Sequence, residues 1–125
     1  MSIKIKNEFK LGTKIIGEKH PTYFIADIAA NHDGNLERAN DLIYLAAQAG
    51  ADAAKFQYFA AETIVSDRGF KDLGLQKSHQ AKWKKSVFEV YKDASLNVNW
   101  THVLKETCNK AGIDFFTSPY SIELV

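Results

Sequence analysis

The alternation of hydrophobic and polar positions organises the chain around Tyr23-Phe-Ile-Ala-Asp-Ile-Ala-Ala-Asn-His-Asp-Gly-Asn35, an apolar run that ends in a turn sequence and passes at once into a helical pattern. Such a run marks a parallel strand covered on both faces, and this one carries a carboxylate, Asp27. A lone buried carboxylate is costly unless it is paired, hydrogen-bonded or facing a wet pocket. Asp27 therefore needs a partner or sits at the mouth of a site.

On the N-terminal side, Ile3, Ile5, Phe9 and Leu11 alternate with polar residues and Ile15-Ile16 follows Gly12, which predicts a small antiparallel flap ended by His20-Pro21. The first main strand then runs from about Thr22 to Ala29. Asn35 caps a helix from Leu36 whose Leu36, Ala39, Ile43, Ala46 and Ala47 form one stripe, and Gly50 takes the C′ position. A second strand, Ala51 to Phe59, has Lys55 and Gln57 embedded in it. From Ala60 to about Asn97 the pattern loosens into a long connection of the kind that forms lids or binding loops. Within it a helix is expected from His79 to Tyr91, with Trp83, Val87 and Val90 packing and His79, Lys82, Lys84 and Lys85 as a solvated basic face. Asn99 is expected to cap a further helix bearing Val103, Leu104, Thr107, Cys108 and Ala111, stopped by Gly112. The third strand is Ile113 to Thr117, ended by Ser118-Pro119.

Gln48-Ala-Gly-Ala-Asp52 and Lys110-Ala-Gly-Ile-Asp114 are one helix-to-strand joint used twice. Strand, helix, strand, helix, strand calls for parallel pairing with right-handed crossovers. Three such strands leave the sheet unclosed. The expected organisation is a β flap over 1–21, then over 22–125 the first three strands and intervening helices of a TIM-type (β/α)8 barrel. A stand-alone flavodoxin-like binding or signalling domain is the rival arrangement.

Composition narrows the partners. The 125 residues are 46% hydrophobic and 25% charged with a net charge of +1, a globular balance without the field that draws in nucleic acid or an anionic membrane. Cys108 is the one cysteine, so no internal disulfide forms. With neither a signal-peptide core nor an apolar run of membrane-spanning length, the expectation is a cytoplasmic protein. The exposed edge and sheet face, the latter expected to be Ile25, Ala53, Ile113 and Phe115, favour a homo-oligomer, most simply a dimer.

Side chains alternate along strands. Phe56 and Tyr58 suit a helix layer, which leaves Lys55 and Gln57 facing the barrel interior with Asp27 and, by the same parity, Thr117. The C-terminal strand ends are where parallel α/β barrels build active sites. Plainer readings stand beside this one: Asp27 and Lys55 as a structural ion pair, Thr117-Ser118-Pro119 as a strand-ending turn, His32 bonding backbone in its loop, or Lys55 as a Schiff-base amine.

Asp27-Ile-Ala-Ala-Asn-His-Asp-Gly-Asn35, Gly50-Ala-Asp-Ala-Ala-Lys-Phe-Gln57 and Ala111-Gly-Ile-Asp-Phe-Phe-Thr-Ser-Pro119, in this order, resemble the first blocks of the sialic acid synthase family. These barrel enzymes condense phosphoenolpyruvate with N-acetylmannosamine or a related N-acetylated sugar to form nonulosonic acids. The resemblance implies a proton-transfer role for Asp27, where the family usually has a glutamate one methylene longer. It implies that Lys55 contacts phosphoenolpyruvate, that Gln57 lies near the sugar, and that Thr117 and the adjoining Ser118 supply hydroxyls near phosphoenolpyruvate. Asn31 and His32 match the pair that closes the first strand-to-helix loop beside the site. The family's divalent metal, manganese or magnesium, is held by histidines of later strands outside these 125 residues. The chain alone is accordingly expected to be inactive.

Overall fold

A computed structural model describes residues 7–72 and 82–125. The flap is present as an antiparallel hairpin of β1 (Glu8–Leu11) and β2 (Lys14–Gly17), with Phe9 opposite Ile16. Ile3 and Ile5 lie outside the described residues. Three parallel strands follow, β3 (Ile25–Ala29), β4 (Ala53–Tyr58) and β5 (Asp114–Pro119), in the order β3-β4-β5. Each strand lies beside its predecessor, as barrel strands do, whereas a flavodoxin-like sheet sets its first strand between the second and third.

Helix α1 (Leu36–Gln48) begins where Asn35 Oδ1 accepts the Arg38 amide at 2.9 Å. It ends in a Schellman turn, with Gly50 at φ +89° and the Ala51 amide reaching Ala46 O at 3.0 Å. Helix α5 (Thr101–Ala111) ends in the same way: Gly112 has φ +75° and the Ile113 amide reaches Cys108 O at 3.1 Å. The repeated joint is thus one backbone motif that feeds β4 and β5 from matching angles. Its aspartates fasten the flap beneath the sheet. Asp52 is ion-paired with Lys14 and accepts the Phe24 amide at 2.7 Å, while Asp114 accepts the Tyr23 hydroxyl at 2.6 Å.

The connection after β4 holds two short helices, α2 (Ala61–Ile64) and α3 (Asp67–Asp72), then α4 (Val87–Ala94). The helix expected from His79 begins at Val87, because Ser86 and Glu89 close a capping box there. Residues 79–81 lie outside the described residues, and Trp83 precedes the helix. The expected Asn99 cap is also corrected. Asn97 Oδ1 accepts the Asn99 amide, starting a 3-10 turn (Val98–Trp100) that leads into α5.

The core lies between the sheet and the α1–α5 layer. Ile28, Ile43, Ala54, Phe56, Tyr58, Leu104 and Cys108 are buried together. Thr107 spans the two helices, donating to Asn40 Oδ1 at 2.9 Å. Parity along β4 is as the sequence predicts, with Phe56 fully enclosed and Lys55 and Gln57 half-buried on the other face.

Parity along β5 is the reverse of the expectation. Ala54 lies beside Phe115, Lys55 beside Phe116, Phe56 beside Thr117 and Gln57 beside Ser118, and parallel neighbours in register point to the same face. The Phe115 ring packs 6.0 Å from Phe56. Ile113, Phe115 and Thr117 therefore belong to the helix side, and the sheet face expected to mediate self-association is carried by Ile25 and Phe116 instead. The cause is the barrel's stagger: with shear equal to strand number, adjacent strands slip about one residue, so equivalent positions alternate in facing from strand to strand.

Candidate active site

The face away from the helices brings Asp27, Lys55, Gln57 and Ser118 to the C-terminal end of the sheet. Asp27 and Lys55 are ladder partners, so their side chains rise together, and Lys55 Nζ lies 3.3 Å from Asp27 Oδ2. The carboxylate that the sequence places in an apolar strand is 53% exposed and the lysine 31%. This is no sealed ion pair. An exposed pair contributes only about 0–1 kcal/mol, so an incoming anion can take the ammonium at little cost. Gln57 and Ser118, paired one step further along, add a carboxamide and a hydroxyl beside the charges. Thr117 does not join them.

His32 lies on the helix side of the sheet, and Asn31 in the loop that follows β3. Asn31 Nδ2 donates to Ile28 O at 2.9 Å. The His32 ring is fully buried, 6.4 Å from Phe56 and 6.0 Å from Trp100, on the helix side of the sheet. Its Nδ1 accepts the Gly34 amide at 3.0 Å, and Nε2 has no partner among the described residues. Backbone bonding in the loop is thus what His32 does, and it does so from inside the core.

Burial lowers the His32 pKa; nearby Asp33 opposes this and Arg38 adds to it. The unfolded chain takes up its proton near pH 6.5 while the folded ring resists it. Stability from this group is complete above that value and falls as pH drops through it, by at most about 1.4 kcal/mol per pH unit. Urea unfolding at about pH 7.5 and about pH 5.5 is expected to show the loss, with a smaller loss in His32→Leu, which cannot be protonated there. Equal pH dependence in both proteins would contradict the assignment.

Among the described residues no three His, Cys, Asp or Glu side chains come together. At the C-terminal end of the open face the Asp27 carboxylate already neighbours an ammonium, a poor donor set for a hard divalent cation, which takes several oxygen ligands. The residues present do not fit the metal that the resemblance implies. A cavity of about 350 Å³ lies at the opposite end of the strands, between flap and sheet, lined by Lys14, Ile16, His20, Tyr23 and Asp52 among others. Its lysine and aspartate are ion-paired with each other.

Residues 42–125 match the model of the NeuB family. The chain belongs to the NeuB family. It is 34% identical to the spore coat polysaccharide biosynthesis protein SpsE of Bacillus subtilis over 88% of its length and 28% of that protein. With the N,N'-diacetyllegionaminic acid synthase of Legionella pneumophila it shares 33% identity over 87% of the chain and 30% of the relative. In structure it superposes on the N-acetylneuraminic acid (sialic acid) synthetase of Leptospira borgpetersenii, crystallised with citrate, with a TM-score of 0.70 and 31% identity over 93% of this chain and 35% of that one. The parallel β/α units are therefore those of the family's TIM-type barrel, and the chain spans about three tenths of the length of the curated relatives it matches. Among the described residues no helix is long and apolar enough to cross a membrane.

Proposed function

We propose that the open face is part of the phosphoenolpyruvate and sugar site of a cytoplasmic nonulosonic acid synthase, a transferase of carbohydrate biosynthesis. The observation that carries this reading is the loosely held Asp27–Lys55 pair at the C-terminal strand ends, with Gln57 and Ser118 in register beside it. Lys55 supplies a compact positive charge for the carboxylate or phosphate of phosphoenolpyruvate. The Gln57 carboxamide and Ser118 hydroxyl hydrogen-bond an N-acetylated amino sugar or the phosphate. In the reaction the enol carbon of phosphoenolpyruvate bonds to the sugar aldehyde carbon, and water adds to the cationic carbon left behind. Asp27 takes one proton of that water and returns it to the alkoxide formed from the aldehyde oxygen; the other proton leaves with phosphate as the carbon–oxygen bond to phosphate breaks and the ketone forms. The steps given to these residues are anion binding and proton transfer alone. A Schiff-base role for Lys55 is not favoured, since its ammonium neighbours a carboxylate rather than an apolar wall.

A chimera tests this. Residues 1–125 replace the aligned segment of the Legionella pneumophila synthase, which supplies the rest of a barrel, and phosphate release is followed with phosphoenolpyruvate and that enzyme's own amino sugar. Release is expected from the chimera and to fall roughly 100-fold or more in Lys55→Ala, while the 125-residue chain alone releases none. A folded chimera whose release is undiminished by Lys55→Ala would overturn the assignment.

A further inference from the structure

We infer that Asn31 is a positioning residue for the Asp27–Lys55 pair, acting through a β-bulge at Ile28; the inference deepens the reading above and rests on it for its functional meaning. The β3–β4 ladder runs Ile25 to Ala53, Ala26 to Ala54 and Asp27 to Lys55, and then sets Ala29 opposite Phe56. Ile28 is thus an extra residue, its side chain buried in the core, and Ala29 takes the left-handed region at φ +55°, which an alanine rarely occupies. A bulge bends its strand and re-aims the neighbouring side chain. Here that neighbour is Asp27, the last regularly paired residue of β3.

The bulge has two consequences at the site. It ends the β3 ladder opposite Phe56, whereas β5 continues to pair through Gln57 and Tyr58, so the β3 side of Gln57 stays open next to the charged pair. It also makes the direction of the Asp27 side chain depend on how the Ile28 peptide is held. Asn31 holds that peptide twice: its backbone N–H donates to Ile28 O at 3.0 Å and its Nδ2 at 2.9 Å. Asn31 is itself anchored, because its carbonyl accepts Arg38 Nε at 2.7 Å and Arg38 sits in the first turn of α1, its amide bonded to the Asn35 cap and its guanidinium 3.4 Å from Asp33. A chain of contacts therefore runs from the α1 N-terminus through Asn31 to the Ile28 carbonyl, and the backbone carries it one residue further to Asp27. The Nδ2 of Asn31 is committed to this carbonyl.

The test reads the pair directly by NMR of the 125-residue chain, through the Asp27 carboxyl ¹³C and Lys55 ammonium ¹⁵N shifts at neutral pH. Lys55→Met defines the Asp27 signal of a broken pair. Asn31→Ala removes the side-chain donor, and Asn31→Asp replaces it with an oxygen facing the Ile28 carbonyl. Asn35→Ala loosens the same loop by uncapping α1 and leaves the Ile28 carbonyl untouched. Both Asn31 variants are expected to move the Asp27 signal toward its Lys55→Met position, Asn31→Asp by at least half that displacement, while Asn35→Ala leaves it in place. Silence in both Asn31 variants, or an equal shift in Asn35→Ala, would overturn the inference. A shift in Asn31→Asp alone would report only the new charge and would overturn it too. The readout is geometry rather than turnover, so it stands apart from the chimera assay: an intact coupling with an inactive chimera would remove the synthase reading and leave the positioning role.

Discussion

Phe56→Ala is expected to leave the chain without a cooperative unfolding transition at room temperature. The ring is fully enclosed at the centre of β4, 6.0 Å from Phe115 and 6.4 Å from His32. Truncating a buried phenylalanine costs about 3–5 kcal/mol, the lost transfer energy plus the cavity left behind. A whole domain has only about 5–15 kcal/mol to lose, and a three-stranded sheet with one open face belongs at the low end of that range. Near-UV circular dichroism and urea titration check it, with Ile25→Ala as the comparison. Ile25 is 49% exposed on the opposite face, and its truncation is expected to cost under about 1 kcal/mol. A Phe56→Ala protein with the parent's urea midpoint would mean that the two faces of β4 have been exchanged.

What the sequence reveals, and what it hides, follows from which signals are local. The Gln48–Asp52 and Lys110–Asp114 joints are legible because a left-handed glycine and its two turn bonds are specified by a few adjacent residues. The Asn35 cap is legible for the same reason, and the Ser86–Glu89 capping box is an equally local signal, one that starts the helix at Val87 rather than His79. In β4 alternation is decisive, since Lys55 and Gln57 share one face and Phe56 and Tyr58 the other. In β5 it is not: Phe115-Phe116 puts a large ring on each face and Thr117-Ser118 a hydroxyl on each. The facing there is set by stagger between strands, a property of the whole barrel. Thr117 therefore faces the helix side, and the adjoining Ser118 shares the open face with Gln57. The burial of His32 depends on contacts with Phe56 and with Trp100 of the 3-10 turn, remote in sequence and without a local signature. The exposure of Asp27 likewise reflects what covers the sheet face, which the strand itself does not encode.

The second large effect concerns Lys55. Its ammonium is the cation that the open face offers beside Gln57 and Ser118, and its partner Asp27 is held no closer than 3.3 Å. Replacing the charge by an isosteric apolar chain in Lys55→Met removes one charge-assisted contact to a bound anion, about 1.5–3 kcal/mol, or roughly a 10- to 150-fold loss of affinity. The flap cavity, at the opposite end of the strands, is expected to contribute nothing to this binding. The measurement that separates the two ends of the sheet is an NMR titration of the 125-residue chain with phosphoenolpyruvate. Saturable amide shifts at Lys55, Gln57 and Ser118 are expected, with an affinity of about 1 mM, near 4 kcal/mol, and with their loss in Lys55→Met. Shifts centred on Lys14, His20 and Tyr23, or a titration that Lys55→Met leaves unchanged, would contradict the placing of the anion site on the open face.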